Sequence, residues 1–431
     1  MSYKDKYFSE LKKRVDIYAQ IYASSPFKVI VRLLYWNIKQ IFVFGLNCIR
    51  LRRSNNPIQH KSDTVMARER RWRFLLAIVA RGGLGDCLMT WICAKKIISK
   101  FNVNPEDVLL VVERSVNSVR TLISDDIGDK VTVVSEGQFH IDRSAFVIDY
   151  NIDYPFVSKY DQEFFSRKES TFKSSPTAIH ALMKYVSVLQ KQQDDYLWLF
   201  SGQDRVFHQQ KLMLIEGKQV YNSRDFHDLL GMETDPAFRA GKNIKLVKTD
   251  VLERNNLVTD RYITISRSTD TQITDGNTTK MWPVASYQRL ISLIKQRFPN
   301  YKIVRIGKRD GCIFDGIDVD LAGRTTFDEM LILLKSSQLH IDIEGGMVHF
   351  RHYLCGKPSI VLFGPTSRLN RGYSENINIK ANCCSCEYCE WLLGSKWFTF
   401  CPLTKTSCCK NLENLSADDV FLIMRQDRCL E

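Results

Sequence analysis

The sequence has no apolar run long enough to cross a bilayer. In residues 26–53, the longest run without a charged residue extends from Gln40 to Ile49, about half of the roughly 20 residues that a transmembrane helix needs. The polar start, MSYKDKYFSELKKR, is not typical of a secretory signal, and there is no low-complexity tract or repeat at a solenoid period. With 44% hydrophobic and 25% charged residues in 431 positions, the composition excludes a disordered, collagen-like or fully membrane-embedded protein and predicts two or three globular domains.

The positive charge is concentrated at the N-terminus. Of the formal net charge of +13, residues 1–73 hold +11, from 16 Lys or Arg and 5 Asp or Glu, so the rest of the chain is close to neutral. We therefore expect no nucleic-acid binding by the whole protein. Residues 26–53 mix apolar and basic residues, which favours an amphipathic helix on an anionic membrane surface. The alternative is a helix that packs on the protein's own body.

The cysteines are also clustered, with seven of 13 in residues 383–409. Because we expect no export, their thiols should be reduced. Cys386, Cys389, Cys401 and one of Cys408 or Cys409 have a spacing that suits a tetrahedral thiolate site for structural Zn or Fe. Unliganded thiols or a local disulfide are the alternatives.

Buried strands alternate with helices in two series, the first beginning with FLLAIVA (74–80) and the second with YITIS (262–266). Such alternation predicts α/β structure with parallel, doubly wound sheets. We expect a helical basic extension at 1–72, a Rossmann-like domain at 73–258 and a second one at 259–431. In sheets of this kind ligands bind at the carboxyl ends of the strands, so the cleft between two facing domains is the expected active site.

A glycine turn, Arg81-Gly82-Gly83-Leu84-Gly85-Asp86, links the first strand to a helix. Glycines allow a tight turn and a close approach of backbone N–H groups to a ligand. Asp86 could accept a proton from an attacking hydroxyl group, or it could simply cap the helix.

The second series opens with a candidate phosphate site. Lys280, next to Thr279, precedes a helix, where an ammonium, hydroxyl groups and the helix dipole suit a diphosphate. Ser266 and Arg267 follow the YITIS strand and should face the same site. A solvated lysine and a surface arginine are the alternatives.

Two later strands also end in polar or glycine residues. After LHIDI (339–343) come Glu344, Gly345 and Gly346, and then a helix with His349. The carboxylate suits sugar hydroxyls, and the glycines and imidazole suit phosphates, although a capped helix with a core histidine is the alternative. After SIVLF (359–363), the turn that contains Thr366 could line a nucleotide pocket or could be an ordinary turn.

In this order and spacing, the four segments resemble glycosyltransferase family 9, the ADP-heptose-dependent heptosyltransferases of lipopolysaccharide assembly. The resemblance covers about residues 74–425 and implies the GT-B architecture, inverting sugar transfer and no catalytic metal. It implies that Asp86 is the general base and that Lys280 holds the donor diphosphate. It also implies that Glu344, Gly345, Gly346 and His349 surround the donor, although family members more often have Asp at the position of Glu344.

The family resemblance also sets our expectations for partners. We expect a nucleotide-sugar donor, first ADP-heptose, and a lipopolysaccharide core or similar glycan as acceptor, on the cytoplasmic face of a bacterial inner membrane. Related protein O-heptosyltransferases that modify autotransporters have a cysteine-based iron motif in this region, so a protein acceptor is the alternative. A non-catalytic protein that docks on membrane or nucleic acid is a third hypothesis. The oligomeric state, a homo-oligomer among the options, stays open.

Overall fold

The computed structural model describes most of the chain from residue 73 onward. The described residues are 73–113, 115–151, 154–161, 172–195, 249–267, 278–309, 312, 314–366, 368–381, 399–401 and 404–427. The predicted helical extension at 1–72, with its membrane-binding stretch at 26–53, lies outside them, as do Cys386 and Cys389. No helix among the described residues is long and apolar enough to span a membrane.

The chain forms two compact units, and each unit is made of several separate segments of the sequence. Among the described residues, the first unit comprises those within 73–81, 96–113 and 130–195, and the second comprises those within 82–95, 115–129 and 249–427. The glycine turn and Asp86 therefore belong to the same unit as the candidate donor-binding residues.

The first unit has a five-stranded sheet in the order β3-β2-β1-β4-β5. Its strands are β1 (Phe74–Arg81), β2 (Val108–Val112), β3 (Thr132–Ser135), β4 (Ser144–Asn151) and β5 (Tyr154–Tyr160). The first four pair in parallel, and β5 pairs antiparallel with β4. Seven of the eight residues of β1 are buried, as expected for a central strand that is covered on both faces.

The α-helices described between residues 84 and 195 are α1 (Leu84–Phe101), α2 (Val116–Ile123) and α3 (Pro176–Asp195). Helix α3 contacts β5. Residues 84–95 of α1 and all of α2 belong to the second unit, and residues 96–101 of α1 belong to the first. Phe74, Val79, Leu109, Val111 and Val147 form an apolar cluster between strands of the first unit.

The second unit has a six-stranded, fully parallel sheet in the order β11-β10-β9-β6-β7-β8. Its strands are β6 (Tyr262–Ile265), β7 (Lys302–Arg305), β8 (Val319–Asp320), β9 (Leu339–Ile343), β10 (Ile360–Leu362) and β11 (Ile377–Ile379). The order reverses at β6 and β9, where a doubly wound sheet binds its ligands.

The later helices of the second unit are α4 (Val251–Arg254), α5 (Val284–Arg297), α6 (Phe327–Ser336), α7 (Gly346–Cys355), α8 (Arg368–Arg371), α9 (Lys410–Glu413) and α10 (Ala417–Gln426). Local sequence explains several boundaries. Thr326 and Glu329 form a capping box at the start of α6, and Gly356, with φ of 64°, ends α7.

The predicted fold class is confirmed for the described residues, which form two α/β units built on parallel sheets. Strand β5 was not predicted from the sequence, nor were the short strands β8 and β11 at the edges of the second sheet. Edge strands have fewer neighbours to bury them, so their sequences contain no long apolar run.

Candidate active site

Asp86 lies at the start of α1, just after the glycine turn. The helix begins at Leu84, so Asp86 is its third residue and not the residue before it. Its Oδ2 accepts a hydrogen bond of 2.8 Å from the N–H of Gly83, which is the backward contact that an acid makes in a capping box. Gly82 has φ of +102°, and a Cβ atom there would lie 2.4 Å from Oδ2 of Asp86. The turn thus needs glycine both for its conformation and for space.

The N-terminus of α7 lies against the N-terminus of α1. A Cβ atom on Gly85 would be 2.8 Å from Cα of Gly346 and 3.1 Å from Cδ2 of His349. Such a distance from a backbone atom cannot be relieved by a side-chain rotation. Two helix starts, each with N–H groups that have no carbonyl partner within the helix and with a partial positive charge, therefore meet at one place.

Lys280 and Glu344 form an ion pair in the same site. The Nζ of Lys280 donates to Oε2 of Glu344 over 2.7 Å, and both side chains are largely buried. Burial alone would raise the pKa of Glu344, but the charges of Lys280 and Arg371 outweigh it and hold this pKa at about 2. Glu344 is therefore ionised at neutral pH.

The pKa of Asp86 moves in the opposite direction, to about 6. Burial raises it most, and the negative charge of Glu344 adds to this effect. The N–H of Gly83 and the charges of Arg371 and Lys280 lower it. A carboxylate with a pKa this close to neutrality suits a general base, because it is ionised at pH 7 and still accepts a proton readily.

His349 and Tyr373 are in contact beside this pair of helices. The Nδ1 of His349 shares a hydrogen bond with the hydroxyl group of Tyr373, and the ring of Tyr373 is buried. His349 is also close enough to Glu344 for its charge to affect that carboxylate. The structure thus brings together Asp86, Lys280, Glu344, Gly345, Gly346 and His349.

The other predicted donor-binding residues have partners within the protein. Ser266 is buried, and its backbone N–H donates to Ile341 over 3.1 Å. Arg267 donates from Nε to the carbonyl of Trp282 over 3.1 Å and from Nη1 to Sγ of Cys312 over 3.3 Å. The described hydrogen bonds of Arg267 are therefore with a backbone carbonyl and a thiol of the protein.

Thr279 and Thr366 are both buried in the second unit. The backbone carbonyl of Thr366 accepts a 3.1 Å hydrogen bond from Nζ of Lys380. Its Oγ1 has no hydrogen-bond partner among the described residues, which is consistent with a hydroxyl group that binds a ligand.

Arg371 and Tyr373 were not identified by sequence reasoning. Both follow the turn after β10, whose carboxyl end is at the binding edge of the sheet. Their position after a strand of the sheet was the sequence signal that could have found them. The segment that contains them has no pattern of glycines or acids that distinguishes it from a surface loop.

The cysteine cluster is described only in part. Cys401 and Cys409 are buried and Cys408 is exposed, and burial raises the pKa of the Cys409 thiol to about 11. No group of three or more His, Cys, Asp or Glu residues that could hold a metal ion occurs in the described ranges. Cys401 is close enough to Cys409 to add to this rise in pKa.

Part of the chain is similar to known glycosyltransferases. The model of glycosyltransferase family 9 (heptosyltransferase) matches residues 187–390. No curated protein matches the sequence. Two structures of the dodecameric, iron-containing enzyme TibC, one from enterotoxigenic E. coli H10407 and one in complex with ADP-D-β-D-heptose, are 12% identical. Each is covered over 78% of its length, against 84% of this chain, with TM-scores of 0.52 and 0.50.

The E. coli ADP-heptose lipopolysaccharide heptosyltransferase II is also 12% identical, with 83% of this chain and 98% of that chain covered and a TM-score of 0.41. At this identity, the two TibC structures support the fold, which is of the GT-B class. The family model independently supports the resemblance over the range that contains the three later motifs, and the glycine turn at 81–86 lies outside that range. The chain is a glycosyltransferase, and its residues 187–390 match the family 9 (heptosyltransferase) model.

Proposed function

We propose that this glycosyltransferase transfers a sugar, heptose first, from a nucleoside-diphosphate sugar to an acceptor hydroxyl with inversion of the anomeric carbon. The observation behind this proposal is the placement of Asp86 next to two cations and two helix N-termini. A base and a diphosphate site are the two parts that such a displacement needs. TibC binds ADP-D-β-D-heptose, which supports ADP-heptose as the donor.

The reaction needs one proton transfer and one displacement. Asp86 takes the proton of the acceptor hydroxyl, and the oxygen attacks the anomeric carbon on the face opposite the diphosphate. The bond from that carbon to the diphosphate oxygen breaks, and its electron pair leaves with the nucleoside diphosphate. Lys280, His349 and the N–H groups at the start of α7 stabilise the charge that grows on the leaving group.

Before the donor binds, the ion pair between Lys280 and Glu344 keeps both side chains charged. A diphosphate offers Lys280 more negative charge than one carboxylate does, so the ammonium can bind both groups. Glu344 stays ionised and accepts hydrogen bonds from sugar or ribose hydroxyls. Arg371 adds a second cation for the diphosphate.

We propose a structural metal for the cysteine cluster and no metal in the reaction. Cys386, Cys389, Cys401 and Cys409 would hold Zn or Fe in a closed site with four thiolates. TibC is described as iron-containing, which supports iron as the first metal to test.

For the acceptor, we propose a lipopolysaccharide core or a similar glycan on the cytoplasmic face of the inner membrane, with residues 26–53 on the anionic lipid surface. A protein acceptor is the second candidate, because the cysteine cluster and the fold similarity to an iron-containing heptosyltransferase both favour it.

The test is to incubate the purified protein with a panel of nucleotide sugars and to measure binding, slow donor hydrolysis and transfer to lipopolysaccharide core or to adhesin fragments. We expect ADP-heptose to bind best. Asp86→Ala should abolish turnover and leave donor binding within about threefold of the parent, because the carboxylate acts on the acceptor. Binding without any hydrolysis or transfer by the parent protein would favour the non-catalytic alternative.

A further inference from the structure

We propose that Tyr373 is a positioning residue which keeps Nε2 of His349 protonated, and so able to donate a hydrogen bond, whether the imidazole is neutral or cationic. This inference rests on the proposed function only for the identity of the group that receives the hydrogen bond. The arrangement itself is a property of the protein without ligand.

The first observation is the pair of contacts that the hydroxyl of Tyr373 makes. It is within hydrogen-bond distance of Nδ1 of His349 and 3.5 Å from Sδ of Met89. A neutral imidazole nitrogen is a much better acceptor than a thioether sulfur. With neutral His349, the hydroxyl proton therefore goes to Nδ1, and the ring proton must be on Nε2.

The same contacts also serve the cationic ring. When both nitrogens are protonated, Nδ1–H donates to the oxygen of Tyr373, and the hydroxyl proton turns to the sulfur of Met89. Rotation about a single bond is enough for this change. The side chain at residue 373 thus supports both charge states, and Nε2 has a proton in each.

The second observation is that the ring of Tyr373 has little freedom. It stacks on His352 with centroids 3.9 Å apart and planes 8° from parallel, and it meets Tyr353 edge to face at 5.5 Å. His349, His352 and Tyr353 all belong to α7. The hydroxyl oxygen is therefore fixed relative to the helix that bears His349.

The third observation is where the other edge of the imidazole lies. The Cδ2 atom of His349, which is bonded to Nε2, borders the backbone of Gly85 at the start of α1. Met89 is one turn further along α1 than Asp86. Tyr373 therefore contacts residues from both helices whose N-termini meet at the site.

The charges around His349 explain why the cationic form matters. Glu344 interacts with His349 electrostatically, and Lys280 and Arg371 interact with Glu344. The same two cations and Glu344 affect Asp86. A diphosphate would add negative charge here and favour the imidazolium, and Nε2–H must be in place for both forms if it is to donate to an oxygen of the leaving group.

The experiment is a histidine nitrogen NMR titration of ¹⁵N-histidine-labelled protein, with the signals of His349 assigned from a His349→Gln variant. In the parent protein we expect neutral His349 to be the Nε2–H tautomer. In Tyr373→Phe, which removes only the hydroxyl, we expect a mixture of tautomers, about tenfold weaker ADP binding and a changed pH profile of donor turnover.

Tyr262→Phe is the matched control. Its hydroxyl is also buried and donates to the carbonyl of Leu333 over 2.9 Å, so the variant loses one tyrosine hydrogen bond away from His349. We expect its stability to fall about as much as that of Tyr373→Phe, with no effect on the tautomer or on the pH profile. Equal behaviour of the two variants in all three measurements would overturn the proposal.

If Tyr373→Phe does not fold, a second variant, Met89→Leu, tests the same hydrogen bonds. Met89→Leu keeps the volume but removes the acceptor for the reversed hydroxyl, so the pKa of His349 should fall while the neutral tautomer stays unchanged. An unchanged pKa would contradict the reversing hydrogen bond. If the NMR results are as expected but the parent protein transfers no sugar, the proposed function fails and the role of Tyr373 stands.

Discussion

The carboxyl edges of the two sheets both have charged clusters, but the clusters differ in composition and burial. At the edge of the first sheet, Arg81 contacts Asp149 at 2.9 Å, Glu136 at 2.8 Å and Glu113 at 3.3 Å. Arg81 and Glu136 are well exposed, so solvent screens much of this interaction.

At the site in the second unit, the carboxylates of Asp86 and Glu344 lie among cations and are mostly withdrawn from water. There the same side-chain chemistry gives one pKa of about 6 and another of about 2. The difference shows that the position at a sheet edge brings charges together, while burial and the choice of partner decide whether a carboxylate can take a proton near neutral pH.

The largest effect should come from Lys280→Met. The change removes the ammonium from the diphosphate site and leaves Glu344 buried without its nearest cation. We expect turnover to fall about 100-fold and the acidic limb of the pH profile to move upward, because Lys280 also lowers the pKa of Asp86. Steady-state kinetics between pH 5 and 8 will measure both effects. Lys280→Arg, which keeps the charge, should recover part of the rate, and a full loss in that variant would contradict a role based on charge.

Asp86→Asn and Glu344→Gln should change stability in opposite directions. Asp86 has a pKa of about 6 in the folded state, against 3.8 for an aspartate that is free in water. The contribution of Asp86 to the free energy of unfolding therefore declines as the pH rises from about 4 to 6. Above pH 6 its ionised carboxylate destabilises the fold. Glu344, at about 2 against 4.5, stabilises the fold fully above about pH 4.5 and loses this contribution as pH falls toward 2.

At pH 7 we therefore expect Asp86→Asn to be more stable than the parent by about 1–2 kcal/mol and Glu344→Gln to be less stable by a similar amount. Urea unfolding at pH 7 and pH 4.5 will measure the free energies. Because both variants replace a carboxylate with an amide, each is the control for the other. A shift of the same sign in both at pH 7 would show that their environments do not differ as described.

The pH profile should report the protonation of Asp86. The base must be ionised, and its folded-state pKa is about 6, so kcat/KM should rise about tenfold per pH unit below pH 6 and level off above it. The measurement is donor turnover at saturating acceptor from pH 4.5 to 8, with ADP binding at each pH as the control. A profile that is flat across pH 6 would exclude Asp86 as the group that accepts the proton.

Much of the fold could be predicted from the sequence because its central strands are apolar throughout. FLLAIVA, VLLVV and LHIDI become β1, β2 and β9 with the predicted ends within a residue. Strand β5 could not be predicted, since YPFVSKY has neither a continuous apolar run nor a regular alternation. Tertiary pairing with β4 decides its conformation.

In the candidate site, glycine or an acid after a strand was the sequence signal that identified Gly82, Asp86 and Glu344, whose roles stay predictions. The orientation of side chains was not predictable from the sequence. The described contacts of Arg267 are with Trp282 and Cys312, because the direction of a long side chain depends on packing that local sequence does not specify. Arg371 was missed for the same reason.

The smallest effect should come from Asp149→Asn at the edge of the first sheet. The amide keeps one oxygen for Arg81, which also retains Glu113 and Glu136, so we expect a loss of about 1 kcal/mol in stability and a turnover within about threefold of the parent. Urea unfolding and steady-state kinetics will measure the two quantities. If turnover fell tenfold instead, the carboxylates of the first sheet would have to take part in acceptor binding. Both sheet edges would then bind a substrate, the first sheet the acceptor and the second sheet the donor.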